Sequence, residues 1–223
     1  MRRSFARFIP ILVLATLLHA CGGKDSHGDL PPAGVECASL SPSPAVVTDI
    51  DGTLTLSDAE FLTEFVDPTY VPLAWADAAT LMVELYDRGY LILYLTARPA
   101  NLSMSDGESV RDATERWLED LGFPLDSRRT EVVLAPDSTS GDATTAYKLG
   151  ALQEHQAAGW QFDYAYGNAT TDIDAYLQAG IPPTGVYIIG ENSGEQGTTP
   201  VTGDGWTDHL ATVVTPTGRI CDF

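Results

Sequence analysis

AVVTDIDGT, at residues 45–53, is the segment that reveals most about the architecture of this chain. Residues 45–50 are rich in β-branched side chains and favour a strand, which Gly52 ends. Asp49 and Asp51 lie two positions apart, so both carboxylates fall on one side of the chain while the strand persists. The segment therefore predicts a buried strand with two acids at its carboxyl end.

The rest of the chain alternates strand-like and helix-like segments. Residues 90–95 form an almost unbroken apolar run, which is typical of a strand covered on both faces. The other predicted strands span residues 131–134, 162–166 and 186–189, and the predicted helices span residues 77–88, 105–121, 143–158, 169–179 and 206–213. This alternation predicts an α/β fold with a Rossmann-like parallel sheet of about five strands, helices on both faces and no large cap domain.

The composition limits the size and the partners of the protein. A chain of 223 residues that is 44% hydrophobic suits one globular domain, which we place at residues 45–223 and expect to be a monomer. The formal charge of −19 argues against a nucleic-acid partner, because phosphate binding needs a basic surface. It also disfavours broad adhesion to anionic lipid headgroups.

The first residues have the pattern of a targeting signal. Residues 1–20 combine three arginines with an apolar run that is too short to span a bilayer, which predicts a signal peptide. LHAC at residues 18–21 resembles the lipobox of bacterial lipoproteins, which implies lipidation of Cys21; an ordinary secretory signal peptide is the alternative. Residues 21–44 are rich in Gly, Pro and Ser and predict a flexible tether. We expect a lipid-anchored, extracytoplasmic protein of the bacterial envelope, at the outer membrane rather than the inner one.

Two further cysteines lie near the ends of the predicted domain. In an oxidising envelope compartment an isolated pair such as Cys37 and Cys221 predicts a disulfide, with two free thiols as the alternative. Neither cysteine has the spacing of a zinc site.

The two acids of the first strand suggest metal-assisted chemistry. Carboxylates as close as those of Asp49 and Asp51 repel each other unless a cation lies between them. A hard divalent ion prefers oxygen ligands, and Mg²⁺ suits a site that a phosphate completes. One carboxylate can then attack phosphorus while the other transfers the proton. A solvated Asp-Gly turn is the plainer alternative.

Three later segments carry groups that would complete such a site. The second strand ends in Thr96 and Ala97, whose hydroxyl and backbone N–H can hold a phosphate oxygen. Lys148, in the third long helix, can offset negative charge. Asn168 and Asp172 follow the fourth strand, four residues apart on one helix face, and offer oxygen ligands to Mg²⁺. Taken singly, each also fits a structural role as a turn residue, a surface lysine or a helix cap.

Together these residues resemble the motifs of haloacid-dehalogenase-superfamily phosphatases. The matching positions are motif I at Asp49, Asp51 and Thr53, motif II at Thr96, motif III at Lys148 and motif IV at Asp172. More narrowly, DIDGTLTLSD, YLTAR and GNATTDIDAY are similar to the catalytic domain of lipins, the LNS2 branch, over residues 45–190.

The resemblance implies a role for each residue. It makes Asp49 the nucleophile that forms an aspartyl-phosphate, and Asp51 the acid that protonates the leaving oxygen and then activates water. Thr96 and the N–H of Ala97 would orient the phosphoryl group, and Lys148 would neutralise it. Thr53 would steady the loop. The implied Mg²⁺ ligands are Asp49, the carbonyl of Asp51, Asp172 and Asn168.

The resulting hypothesis is a Mg²⁺-dependent phosphomonoester hydrolase. Lipin-like motifs, an open site and a lipid anchor make phosphatidate or a related membrane lipid phosphate the expected substrate. The alternatives are a phosphatase of soluble envelope phosphomonoesters and a non-catalytic lipoprotein that binds a lipid or a partner.

Overall fold

A computed structural model describes residues 36–221 of the protein, and its centre is a six-stranded sheet. The strands are β1 (Ser43–Thr48), β2 (Leu91–Pro99), β3 (Thr130–Ala135), β4 (Trp160–Gly167), β5 (Val186–Ile188) and β6 (Thr199–Pro200). All neighbouring strands pair in parallel, in the order β3-β2-β1-β4-β5-β6. The predicted α/β fold with a parallel sheet is confirmed, with one strand more than expected.

Helices cover both faces of this sheet. They are α1 (Ala59–Val66), α2 (Ala78–Asp87), α3 (Val110–Asp120), α4 (Asp142–Ala157), α5 (Thr170–Gln178) and α6 (Thr207–His209), which a π-helical turn, Leu210–Val214, continues. Side chains of α2, α3 and the π-helical turn share one apolar core, and those of α4 and α5 share the core on the other face. The sheet is therefore buried on both sides, as its apolar strands predict.

The topology brings the ends of β1 and β4 together. The chain leaves β1 towards β2 on one side and later returns to place β4 on the other side. A parallel sheet has a crevice at such a reversal, outside the carboxyl ends of the two strands. Asp49 follows β1 directly and Asn168 follows β4 directly, so both residues reach this crevice.

Several boundaries differ from the predictions. Helix α1 was not predicted. It lies in the segment between β1 and α2. Helix α3 begins later than the predicted capping box, since Ser109 is the N-cap and accepts the N–H of Asp112 at 3.0 Å. Strand β6 was missed because two residues are too few to give a periodic signal.

The disulfide between Cys37 and Cys221 is confirmed. It links the segment before β1 to the last described residues, with the two Cα atoms 4.9 Å apart. Gly89 allows this approach, because a Cβ there would lie 2.5 Å from the sulfur of Cys221. Ordered structure thus begins before residue 45: within the predicted tether, Cys37–Ser39 forms a helical turn and Ser43 starts β1.

The predicted signal peptide and Cys21 lie outside the described residues. Within residues 36–221, no helix has the length and apolar character needed to cross a membrane.

Candidate active site

The turn after β1 holds the first part of the site. The N–H of Asp49 still donates to the carbonyl of Tyr166 in β4, at 3.0 Å, so this residue is anchored to the sheet. Gly52 follows with a φ of +72°, and a Cβ there would lie 2.1 Å from the side-chain nitrogen of Asn168. Thr53 donates its hydroxyl to the amide oxygen of Asn168 at 3.0 Å. Glycine is therefore needed here for both backbone conformation and space.

A buried triad of charges joins β1, α4 and α5. Lys148 Nζ lies 3.0 Å from Asp49 Oδ2 and 2.5 Å from Asp172 Oδ1, and its side chain is only 2% exposed. Burial raises the pKa of Asp49 to about 8, against the opposing effect of Lys148. Burial alone would lower the pKa of Lys148, but Asp172 and Asp49 outweigh it and raise this pKa. One cation thus serves two buried acids, and Lys148 can balance the charge of only one of them.

Asp172 also fixes the start of α5. Its Oδ2 accepts the backbone N–H groups of Asn168 at 3.1 Å and of Ala169 at 3.0 Å. Gly167 allows this contact, since a Cβ there would lie 2.6 Å from that of Asp172. The predicted cap was Asn168, but its side chain points towards Thr53 instead, and Asp172 caps the helix from within.

The second acid of the motif is held by an arginine. Arg98 Nη2 donates to Asp51 Oδ1 at 2.8 Å and Nε donates to Oδ2 at 3.0 Å. The guanidinium is buried, donates to the hydroxyl of Thr114 at 3.1 Å, and lies 4.5 Å from the ring centre of Phe61. Thr96 adds a weaker hydrogen bond to Asp51 Oδ2 at 3.3 Å. A two-point contact of this kind fixes the orientation of the carboxylate.

All the predicted site residues within the crevice come together. Asp49, Thr53, Lys148, Asn168 and Asp172 form one connected network. Asp51 and Thr96 share a hydrogen bond, Asp51 lies two positions after Asp49, and Ala97 follows Thr96 in β2. Their convergence follows from strand order, because each belongs to an element that ends at, or crosses, the carboxyl edge of the sheet.

The family is decided by a comparison with known proteins. The model of the LNS2 domain of PITM 1-3 matches residues 46–190, well over half of the chain. The chain belongs to the LNS2 domain family. The resemblance to the lipin and LNS2 branch of the haloacid-dehalogenase superfamily is thereby confirmed.

Relatives of this LNS2 protein include two yeast proteins and one human protein. The LNS2 chain is 30% identical to Nuclear elongation and deformation protein 1 of Schizosaccharomyces pombe, over 66% of its own length and 23% of that protein. It is 28% identical to Phosphatidic acid phosphohydrolase 1 of Saccharomyces cerevisiae, over 66% of this chain and 18% of that one. It is 26% identical to human Phosphatidate phosphatase LPIN3, over 65% of this chain and 17% of that one. The LNS2 chain thus spans about a fifth of the length of these relatives.

Two residues at the site of the LNS2 protein, Arg98 and Asp58, were not assigned a role from the sequence. Arg98 lies two positions after Thr96 on β2, so period-two spacing already put both on one side of the strand. Asp58 lies near Asn168, and partial burial and the charge of Asp51 raise its pKa. Asp58 belongs to the motif DIDGTLTLSD, which was the available signal.

The donor set of the LNS2 protein fits a hard divalent cation. Within residues 36–221, no three acidic, histidine or cysteine side chains converge as a ready metal site. The predicted ligand set contains only two carboxylates, from Asp49 and Asp172, beside the carbonyl of Asp51 and the amide of Asn168. Burial, which has the largest effect, and the neighbouring acids Asp172 and Asp51 raise the pKa of Asp49, so further positive charge beside it would favour the carboxylate form. A Mg²⁺ ion would supply such charge, and it prefers oxygen donors of this kind.

Proposed function

We propose that this LNS2 protein is a Mg²⁺-dependent phosphomonoester hydrolase that acts through an aspartyl-phosphate intermediate. The observation that carries the proposal is the buried carboxylate of Asp49, which lies at the end of β1 beside Lys148 and Asp172. A nucleophile needs a defined position next to positive charge that can stabilise the transferring phosphoryl group, and this arrangement provides both.

In the first step Asp49 attacks phosphorus. A bond forms between its carboxylate oxygen and phosphorus while the ester P–O bond breaks, and Asp51 gives its proton to the leaving oxygen. In the second step Asp51 takes a proton from water, and this water attacks phosphorus and releases inorganic phosphate and free Asp49. Arg98 orients Asp51 through its two-point contact.

The remaining groups position the substrate. Thr96 and the N–H of Ala97 bind phosphoryl oxygens, and Lys148 balances their charge. Thr53 steadies the loop through Asn168. Asp49, Asp172, Asn168 and the carbonyl of Asp51 would hold Mg²⁺, which would neutralise charge when bound.

We propose phosphatidate, or a related lipid phosphate, as the substrate. Two relatives that match this chain are named as phosphatidate-hydrolysing enzymes. A lipid on Cys21 would keep the protein, as a monomer, on an envelope membrane, at the outer rather than the inner one. An anchored enzyme meets its lipid substrate at the surface that it occupies.

The test is phosphate release by the purified protein, measured with and without EDTA. The expected result is release from vesicles that contain phosphatidate, and loss of that release with EDTA or in Asp49→Asn. Release from soluble phosphomonoesters alone would point to the soluble-substrate alternative. No release from either substrate class, with intact folding, would refute the enzyme and favour a binding role.

A further inference from the structure

Helix α1 packs Phe61 and Phe65 against the core, but it also buries two acids and exposes two large apolar side chains. Its buried residues are the acids Glu60 and Glu64, whereas Leu62 is 63% exposed and Val66 is 70% exposed. Helices at protein surfaces normally place their apolar stripe on the core. The exposed apolar side therefore needs a separate explanation.

Polar contacts fix this orientation of α1. Glu60 Oε2 accepts the hydroxyl of Tyr70 at 2.6 Å and the N–H of Leu73 at 2.8 Å. Glu64 Oε1 lies 3.3 Å from Nη2 of Arg116 in α3. Rotating the helix to bury Leu62 would break these contacts, so the apolar side is held towards the outside.

The apolar side of α1 borders a groove that reaches the active site. This apolar groove has a volume of about 230 Å³, and its apolar lining comprises Phe61, Leu62, Phe65, Ala97, Pro99 and Leu102. Its wall at Ala97 belongs to the segment that would bind the phosphoryl group. At the same end Phe61 lies on the guanidinium of Arg98, which holds Asp51.

We infer that the apolar groove binds the aliphatic part of a lipid phosphate whose phosphate group lies at Asp49. This inference rests on the proposed function and identifies the part of the site that selects a lipid. A ligand that fills both regions must carry a phosphate next to an aliphatic chain, because Ala97 belongs to both.

The size and the charge of the region favour this occupant. A specific protein partner needs a larger contact area than this groove provides, whereas part of a small ligand fits such a volume. The formal charge of the chain is −19, so attraction to anionic headgroups cannot bring a lipid to the site. Apolar contact is the interaction that remains, and Leu62 and Leu102, which both line the groove, provide it.

The test compares two substrates of the full-length protein in the presence of Mg²⁺. Glycerol 3-phosphate carries the phosphate without chains, and dioctanoyl phosphatidate carries it with chains. We expect kcat/KM to be at least about tenfold higher for dioctanoyl phosphatidate. In Leu62→Ser and Leu102→Ser this ratio should fall about tenfold, mainly through KM for the lipid.

The matched control is Leu121→Ser. Leu121 is 37% exposed and Leu102 is 38% exposed, but Leu121 follows α3 and does not line the groove. An equal fall of the ratio in the control, or a wild-type ratio near one, would overturn the inference and leave the phosphatase proposal standing. Failure to hydrolyse either substrate would refute the proposed function, and the inference with it.

Discussion

The two edges of the sheet differ in what they bury. At the carboxyl edge, Lys148 lies between the carboxylates of Asp49 and Asp172, and Arg98 holds Asp51. At the amino edge, a disulfide closes the fold beside Gly89, and a cavity of about 1050 Å³ has mostly apolar and aromatic walls. The cavity of about 1050 Å³ therefore lies at the opposite edge of the sheet from the triad of buried charges. Buried charge, rather than cavity size, locates the candidate active site.

The same contrast separates function from stability. Buried charges at the carboxyl edge cost free energy of folding unless each has a partner. The disulfide at the amino edge restricts the unfolded chain, since its cysteines are 184 residues apart. We therefore expect substitutions at the first edge to affect activity most, and substitutions at the second edge to affect stability alone.

Asp49→Asn should give the largest effect on activity. It removes the nucleophile, so we expect phosphate release to fall by a factor of about 10⁴ or more. The free energy of unfolding of the Mg²⁺-free protein should not decrease, because a neutral amide replaces a buried acid whose pKa burial raises to about 8. Asp120→Asn, at the exposed end of α3, is the control and should change neither quantity.

Lys148→Met should damage both activity and stability. It leaves Asp49 and Asp172 buried without their cation, which should lower the free energy of unfolding by about 3–5 kcal/mol. Chemical denaturation measures this loss, and adding Asp172→Asn should recover part of it, because one unpaired charge is then gone. If the loss of unfolding free energy in the double variant equalled the sum of the losses in the two single variants, Lys148 and Asp172 would not be coupled.

Removal of the disulfide should separate the two edges. Cys37→Ser with Cys221→Ser should lower the free energy of unfolding by about 2–5 kcal/mol, because the unfolded chain regains its freedom. Phosphate release at a temperature where the variant stays folded should equal that of the wild type. A large fall in kcat there would mean that the two edges are coupled.

A pH series should reveal a buried neutral histidine in the half of the domain that carries the active site. Burial lowers the pKa of His209 to about 4 from its usual value of 6.5. The folded state disfavours the protonated ring, so its stabilising contribution is complete above pH 6.5 and is lost as the pH falls towards 4. Relative to His209→Gln, the wild type should lose about 3 kcal/mol across this window. Parallel stability curves for the two proteins would contradict the assignment.

Arg98→Lys should give the smallest effect. Lysine keeps the charge but loses the two-point contact with Asp51, so kcat should fall about tenfold to a hundredfold with the fold retained. Arg111→Lys is the matched control, since Arg111 forms an exposed ion pair with Glu115 on α3 and should leave kcat unchanged. Equal kcat values in the two variants would show that Arg98 does not position Asp51 for the reaction.

Much of the site could be predicted because its residues follow local rules. The residue types of the apolar runs predict the strands β1, β2 and β4. Parallel pairing then places the carboxyl ends of these strands at the same edge of the sheet. Helix α1 could not be predicted in the same way. Its large apolar residues suggest a buried face, yet Glu60 and Glu64 are the residues that it buries.

The local pattern was sufficient for the alternating elements, the acids at the end of β1 and the pairing of Cys37 with Cys221, because spacing and residue type carry that information. Contacts between distant segments decided the rest. Arg98 and Asp51 are 47 positions apart, and Lys148 and Asp172 are 24 apart, so no local pattern specifies either pair. Contacts with Tyr70, Leu73 and Arg116 likewise decide which side of α1 faces the protein interior. Only the folded chain brings these groups to one side of the helix.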